Sequence, residues 1–248
     1  MKSKIVFLLV GLMLSTLMFG QKAESPLKII LKLDDFPNHL ETSTLVLDYL
    51  CENNIKAGIG VIAGNLTDSS TNILRRYLNA KSKDKTNLFE IWHHGLYHEK
   101  FPDFTYQEQK ARFEKGDSIV HARLGIQMHA FGAPGNSSDS ITARVVSENP
   151  NYHVLMFVSA KAPAESKIRK LNNRVNMENG TGKPEFDFFV ENYNKAIAKH
   201  MSLMVLQGHP HMYNTPEKME QFKKIIQFLI EQKARFITPE DYYLVNSK

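Results

Sequence analysis

Four clusters of acids, imidazoles and tight-turn residues punctuate this chain: Leu33-Asp34-Asp35, His93 to His98, Gly132 to Asn136, and Gln207 to His211. Each directly follows a short apolar run. One carboxylate with two histidines spaced i, i+4 is a facial ligand set for a divalent metal that leaves positions open for water and substrate. His94 and His98 meet on one face of a helical turn, and Gly95 gives the backbone room to bend after the preceding run. His93 is placed as a packing or supporting group, because i, i+5 to His98 is poor ligand geometry. In an extended segment Asp34 and Asp35 point opposite ways, so one can face a metal while the other takes a proton from water. A purely structural alternative has one of them capping the turn at Pro37-Asn38. His209, nearer its run than His211, is the better candidate to protonate a leaving group. Pro134, between Gly132 and Gly135, marks a tight turn whose backbone N–H groups could approach an oxyanion.

Chemistry placed repeatedly at strand ends requires elements that converge. Seven β-like runs are predicted: Leu27 to Leu33, Ala57 to Ile62, Leu88 to Trp92, Gln127 to Phe131, His153 to Val158, Leu203 to Leu206 and Arg235 to Ile237. Most are near-continuously apolar, as strands buried on both faces are. Helical patterns lie between them at Thr42 to Asn53, Asn72 to Ala80, Tyr106 to Leu124, Ser140 to Glu148, Phe188 to His200 and Pro216 to Gln232. Strict alternation implies a parallel sheet with right-handed crossovers. Site residues after the first, third, fourth and sixth strands favour a distorted (β/α)7 barrel over a doubly wound open sheet, which would gather them near one switch point. The stretch from Ala160 to Pro184 reads as a long excursion over the sheet.

The chain begins with Lys2 and Lys4, an apolar run from Ile5 to about Phe19, and small or polar residues to Ser25. That is the layout of a signal peptide, taken as residues 1–23, with cleavage after Gly20 or Ala23; an uncleaved N-terminal anchor is the alternative. Export to the periplasm or the exterior is the expectation, with no stable membrane span once the signal is removed. About 225 residues then form one catalytic domain, 24–248, held without an internal disulfide because Cys51 is the only cysteine. The pattern Leu47, Leu50, Cys51 predicts a buried thiol. The formal charge of +5 falls to +3 without Lys2 and Lys4, and the basic residues form no block, so a nucleic-acid partner is not expected. The oligomeric state is left open.

The order Leu-Asp-Asp, His-Gly-Leu-Tyr-His, Gly-Ala-Pro-Gly-Asn and Leu-Gln-Gly-His-Pro resembles the polysaccharide deacetylase family, the NodB-homology domain of carbohydrate esterase family four. The resemblance runs from Lys28 to about Ile237. It implies removal of N- or O-acetyl groups from an acetylated carbohydrate, with Zn²⁺ or a similar ion as cofactor. Residue by residue, it implies that Asp34 is the catalytic base, that Asp35, His94 and His98 are the metal ligands, and that His209 is the catalytic acid. Pro134, Gly135, Asn136 and Tyr97 are the candidate substrate-binding residues. The chain departs from the family pattern in three places. Phe131-Gly132-Ala133 stands where an Arg that orients the base is usual, the Asp-Trp pair of the fourth motif has no visible counterpart, and Gly95 replaces a Ser or Thr. The missing Arg and fourth motif leave a second reading, a catalytically silent carbohydrate-binding protein, and because barrels of this type host varied chemistry a third is a hydrolase of a non-peptide C–N bond in a small molecule.

Overall fold

Every second residue of the first strand, β1 (Lys28–Phe36), belongs to one of two apolar layers, which is why its sequence is almost continuously apolar. Ile29, Leu31 and Leu33 pack outward against the helices, while Ile30 joins Trp92, Ala130, Val154, Met156, Leu171 and Val205 in a smaller inner cluster. The same two-residue period places Lys32 and Asp34 on the inner face with Ile30.

The computed structural model describes residues 26–158 and 168–246; the expected signal peptide lies outside them. After β1 come α1 (Leu40–Glu52), β2 (Ala57–Val61), α2 (Asp68–Leu78), β3 (Phe89–His93), α3 (Tyr106–Leu124), β4 (Ala130–Gly132), α4 (Ser140–Ser147) and β5 (Val154–Met156). Then follow β6 (Arg169–Leu171), β7 (Arg174–Asn176), α5 (Phe186–Ala198), β8 (Leu203–Gly208), α6 (Pro216–Glu231), β9 (Arg235–Phe236) and α7 (Pro239–Asn246). Capping boxes at Thr67/Ser70, Thr105/Glu108 and Asp139/Thr142 start α2, α3 and α4 by satisfying otherwise orphaned backbone N–H groups.

All strand pairs are parallel, in the order β6-β5-β4-β3-β2-β1-β8-β7. Only Asn172 and Asn173 separate β6, which pairs with β5, from β7, which pairs with β8. One extended segment split between two neighbours thus nearly closes the ring, and the expected distorted (β/α)7 barrel is what forms.

The seventh stave is not the segment that the sequence pattern predicts. Arg235–Phe236 pairs with Lys28 and Ile29, beyond the end of β2, and stands off the main path. The stave comes from inside the stretch read as an excursion. Cys51 also differs from expectation: Leu47 and Leu50 are buried, but the next 100° of helix turns the thiol into solvent. Among the described residues no helix is long and apolar enough to cross a membrane.

Candidate active site

Strand β1 does not run straight through Asp34-Asp35. Its register against β2 goes from Leu33↔Ile59 to Phe36↔Val61, one residue too many, and Asp35 takes the left-handed conformation at φ 69°. This bulge defeats the simple alternation that would send the two carboxylates to opposite faces. Both reach the C-terminal mouth, where His94 Nε2 lies 3.1 Å from Asp35 Oδ1 and 3.9 Å from Asp34 Oδ2.

Asp35, His94 and His98 come together with donor atoms within 4.8 Å of one another, and His98 Nε2 is 3.3 Å from Asp35 Oδ1. His94 Nδ1 is 2.7 Å from the Gly132 carbonyl, which can only accept, so that nitrogen carries the proton. In the neutral ring, Nε2 then presents a lone pair to a carboxylate lone pair, and a shared cation reconciles the two. The donor set therefore fits a divalent metal. Without one, burial raises the Asp35 pKa, but His94 and His98 outweigh it when their rings are protonated and donate to the carboxylate, and hold it below its ordinary range. The hydrogen bond that His98 donates to Asp35 raises the His98 imidazole above its ordinary value. Gly95, at φ 87°, turns the chain between the two histidines; a Cβ there would lie 2.7 Å from both Pro134 Cγ and the Tyr97 carbonyl.

Asp34 sits in a different environment. Its two oxygens accept from Lys32 Nζ at 2.7 and 2.6 Å, and Oδ2 also accepts from Gln207 Nε2 at 2.6 Å. Asn136 joins the frame, donating from Nδ2 to Gln207 Oε1 at 3.0 Å and accepting from Lys32 at 3.4 Å. Trp92 fills the barrel beneath, in the space left by Gly58, Gly60 and Gly132, with the Lys32 ammonium 4.8 Å from its ring centroid.

Directly after β8, His209 is held by Glu178, two residues beyond β7. Glu178 Oε1 accepts from the His209 backbone N–H at 2.6 Å, Oε2 lies 2.6 Å from ring Nδ1, and the buried Tyr213 hydroxyl donates to Oε1 at 2.6 Å. Burial pushes the His209 pKa down, but Glu178 overrides it, with smaller help from Asp34 and Asp35, and the pKa is raised. Glu178 escaped sequence reasoning; an acid just past a strand end would have signalled it had β7 been recognised.

His93 proves to be a packing residue, fully buried against Phe113, Phe131 and Tyr152, with burial pushing its pKa down to about 4. Pro134 is buried, Gly135 is left-handed at φ 58°, and Tyr97 is 49% exposed. A second cluster, His129, His153 and Glu240, lies at the opposite end of the barrel, before β4 and β5. Its two imidazoles stack with ring centroids 5.2 Å apart and planes 3° apart, so their lone pairs lie in separate parallel planes.

Fold and site define a parallel α/β barrel with an acid–imidazole centre at its C-terminal mouth, the end where such barrels carry their active sites. The polysaccharide deacetylase family model matches residues 21–154, more than half of the chain, and the chain belongs to that family. A comparison with curated proteins finds no match. Among solved structures, the chain is similar to a family 4 acetyl xylan esterase from Clostridium thermocellum in complex with cobalt, at 17% identity and TM-score 0.63, covering 89% of this chain and 92% of that one. It is similar to the peptidoglycan deacetylase PdaC from Bacillus subtilis, at 15% identity and TM-score 0.63, with 90% and 93% covered. A chitin deacetylase from the fungus Colletotrichum lindemuthianum matches at 15% identity and TM-score 0.61, with 87% and 86% covered. At these identities the likeness is one of fold.

Proposed function

We propose that this protein is an exported, metal-dependent hydrolase that removes acetyl groups from a carbohydrate. One observation carries the reading: two adjacent carboxylates enter one site in different environments, Asp35 beside two imidazoles and Asp34 beneath Lys32 and Gln207. Asp35, His94 and His98 would hold the ion, with Zn²⁺ expected from the nitrogen-rich donor set. When bound, the ion supplies Lewis-acid polarisation of the acyl carbonyl and makes water easier to deprotonate.

Asp34 accepts the proton of the attacking water as the water oxygen bonds to the acyl carbon. The C–N or C–O bond to the sugar then breaks. His209, engaged at Nδ1 by Glu178, presents Nε2 and gives its proton to the departing amine or alkoxide. Water and the acetylated sugar thus become acetate and the free amine or hydroxyl. Tyr97, half-exposed beside the triad, offers an aromatic face to a sugar ring. The family membership and the charged partner of His209 support catalysis over a silent binding protein. The signal-like segment 1–23 supports export.

Acetate release from acetylated glucosamine oligomers and acetylated xylan, measured alongside metal content, tests the reading. About one metal ion per chain with acetate release is the expected result. Metal without release from any acetylated glycan would overturn it.

A further inference from the structure

Lys32 is the least expected group in the barrel: an ammonium with no solvent exposure, bonded to a carboxylate whose side chain is 1% exposed. Burying an ion pair this deeply usually yields little net stability, because both charges lose their hydration. We propose that Lys32 is the positioning residue of this active site, acting through Asp34. The inference rests on Asp34 being the base, as in the reading above.

Lys32 and Asp34 are i, i+2 on β1, so the pleat aims both side chains into the barrel. The ammonium spans both oxygens of Asp34, and Gln207 adds a third bond to Oδ2 alone. Oδ1 is therefore the less committed oxygen, while Oδ2 is the one 3.9 Å from His94 Nε2. The ammonium cannot readily swing away. Trp92 and Phe157 flank it at 4.8 and 5.2 Å, and Asn136 closes the side toward β4. It fixes the direction of the buried carboxylate, which a general base requires.

The arrangement also accounts for Gly132. A Cβ at that position would lie 3.2 Å from Lys32 Cε and 2.9 Å from Trp92 Cζ3. The space into which a long side chain from the β4 turn would extend is taken by the lysine stem and the indole. In this chain the cation on the base thus enters from β1, beneath the carboxylate, and a bulky residue at 132 is incompatible with it.

The test is a double-mutant cycle in the zinc-loaded full chain, comparing wild type, Lys32→Met, Asp34→Asn and the double variant. Acetate release is followed as separate kcat and KM, with metal content measured for each protein. Lys32→Met is expected to lower kcat about a hundredfold or more, on the scale of lost general-base catalysis. KM should change less than about threefold, with one ion per chain retained. In the Asp34→Asn background the same change should cost less than about threefold further, because a group acting through Asp34 has nothing left to position. An equal loss in both backgrounds would reduce Lys32 to a structural residue, as would a Lys32→Met protein within about threefold of wild type or one that has lost its metal. If Lys32→Met does not fold, Lys32→Gln replaces it with the same expected outcomes. A wild type that releases no acetate overturns the deacetylase reading and this role together, whereas an active wild type with an indifferent Lys32→Met overturns this role alone.

Discussion

Glu178 grips His209 at two points: one carboxylate oxygen accepts the backbone N–H and the other faces ring Nδ1, each at 2.6 Å. The first bond fixes where the chain leaves β8, and the second fixes the ring and its charge. Because burial alone would lower the His209 pKa, Glu178 reverses the sign of the shift. A folded-state pKa raised above the unfolded value of about 6.5 stabilises the chain fully below that pH, and the contribution fades as pH rises through the raised value. A general acid at His209 loses its proton over the same interval.

Glu178→Gln should therefore move the alkaline limb of kcat/KM to lower pH by about one unit or more, since an adjacent opposite charge shifts a pKa by about one to three units. Burial is then opposed only by the smaller pull of Asp34 and Asp35, and the His209 pKa falls. Metal content should be unchanged, because Glu178 lies outside the Asp35, His94 and His98 group. A pH profile that coincides with wild type would remove His209 as the titrating acid.

The two histidines of the triad should separate metal loss from loss of stability. The His98 side chain is half-exposed and that of His94 is 1% exposed. His98→Ala is expected to reduce bound zinc from about one per chain to near zero with little change in melting temperature. His94→Ala should lose the metal and also about 1–3 kcal/mol of stability, because it strips the Gly132 carbonyl of its buried partner. Elemental analysis beside thermal unfolding of both variants decides. Full zinc in His98→Ala would break the triad.

Much of the barrel was legible because its staves are buried on both faces, so Leu27 to Leu33 and Ala57 to Ile62 read as strands without any tertiary knowledge. The split stave was not. Arg169–Leu171 and Arg174–Asn176 are three residues each and mostly polar, and each buries only one side chain fully, Leu171 or Val175. Neither run is long enough to show a period, and Glu178, which depends on knowing where that stave ends, was lost with it. The joint placement of Asp34 and Asp35 was illegible for another reason: a bulge with one left-handed residue has no composition signal when that residue is an aspartate. The i, i+4 histidines were legible from their spacing, although no helical turn joins them: the chain from His94 to His98 is irregular and Gly95 bends it at φ 87°. Lys32 was in plain view within an apolar run, but a lysine there reads equally as a solvent-facing edge residue until the ring is closed around it.

His93 and Gly116 give a test of the packing behind the triad that does not involve chemistry. His93 Nε2 is 3.0 Å from the Phe113 carbonyl, so it donates there, and Nδ1 accepts from the Gly95 N–H at 2.9 Å; the ring is neutral and fixed at both nitrogens. Gly116, one turn of α3 further on, makes room for it: a Cβ at Gly116 would lie 2.5 Å from Nε2 and 2.7 Å from Cε1. Alanine is the better helix former by up to about 1 kcal/mol, so propensity alone favours Gly116→Ala. Overpacking a well-filled core costs about 1–3 kcal/mol, and this ring cannot rotate away without breaking two hydrogen bonds and its stacking on Phe113. The clash should win, leaving Gly116→Ala less stable by about 1–2 kcal/mol in denaturant unfolding. The Gly95 turn that carries His94 and His98 is tied to the same ring, so zinc affinity should weaken in step. A Gly116→Ala protein as stable as wild type would mean that α3 can move off β3 at little cost, and that the triad is not held from behind by His93.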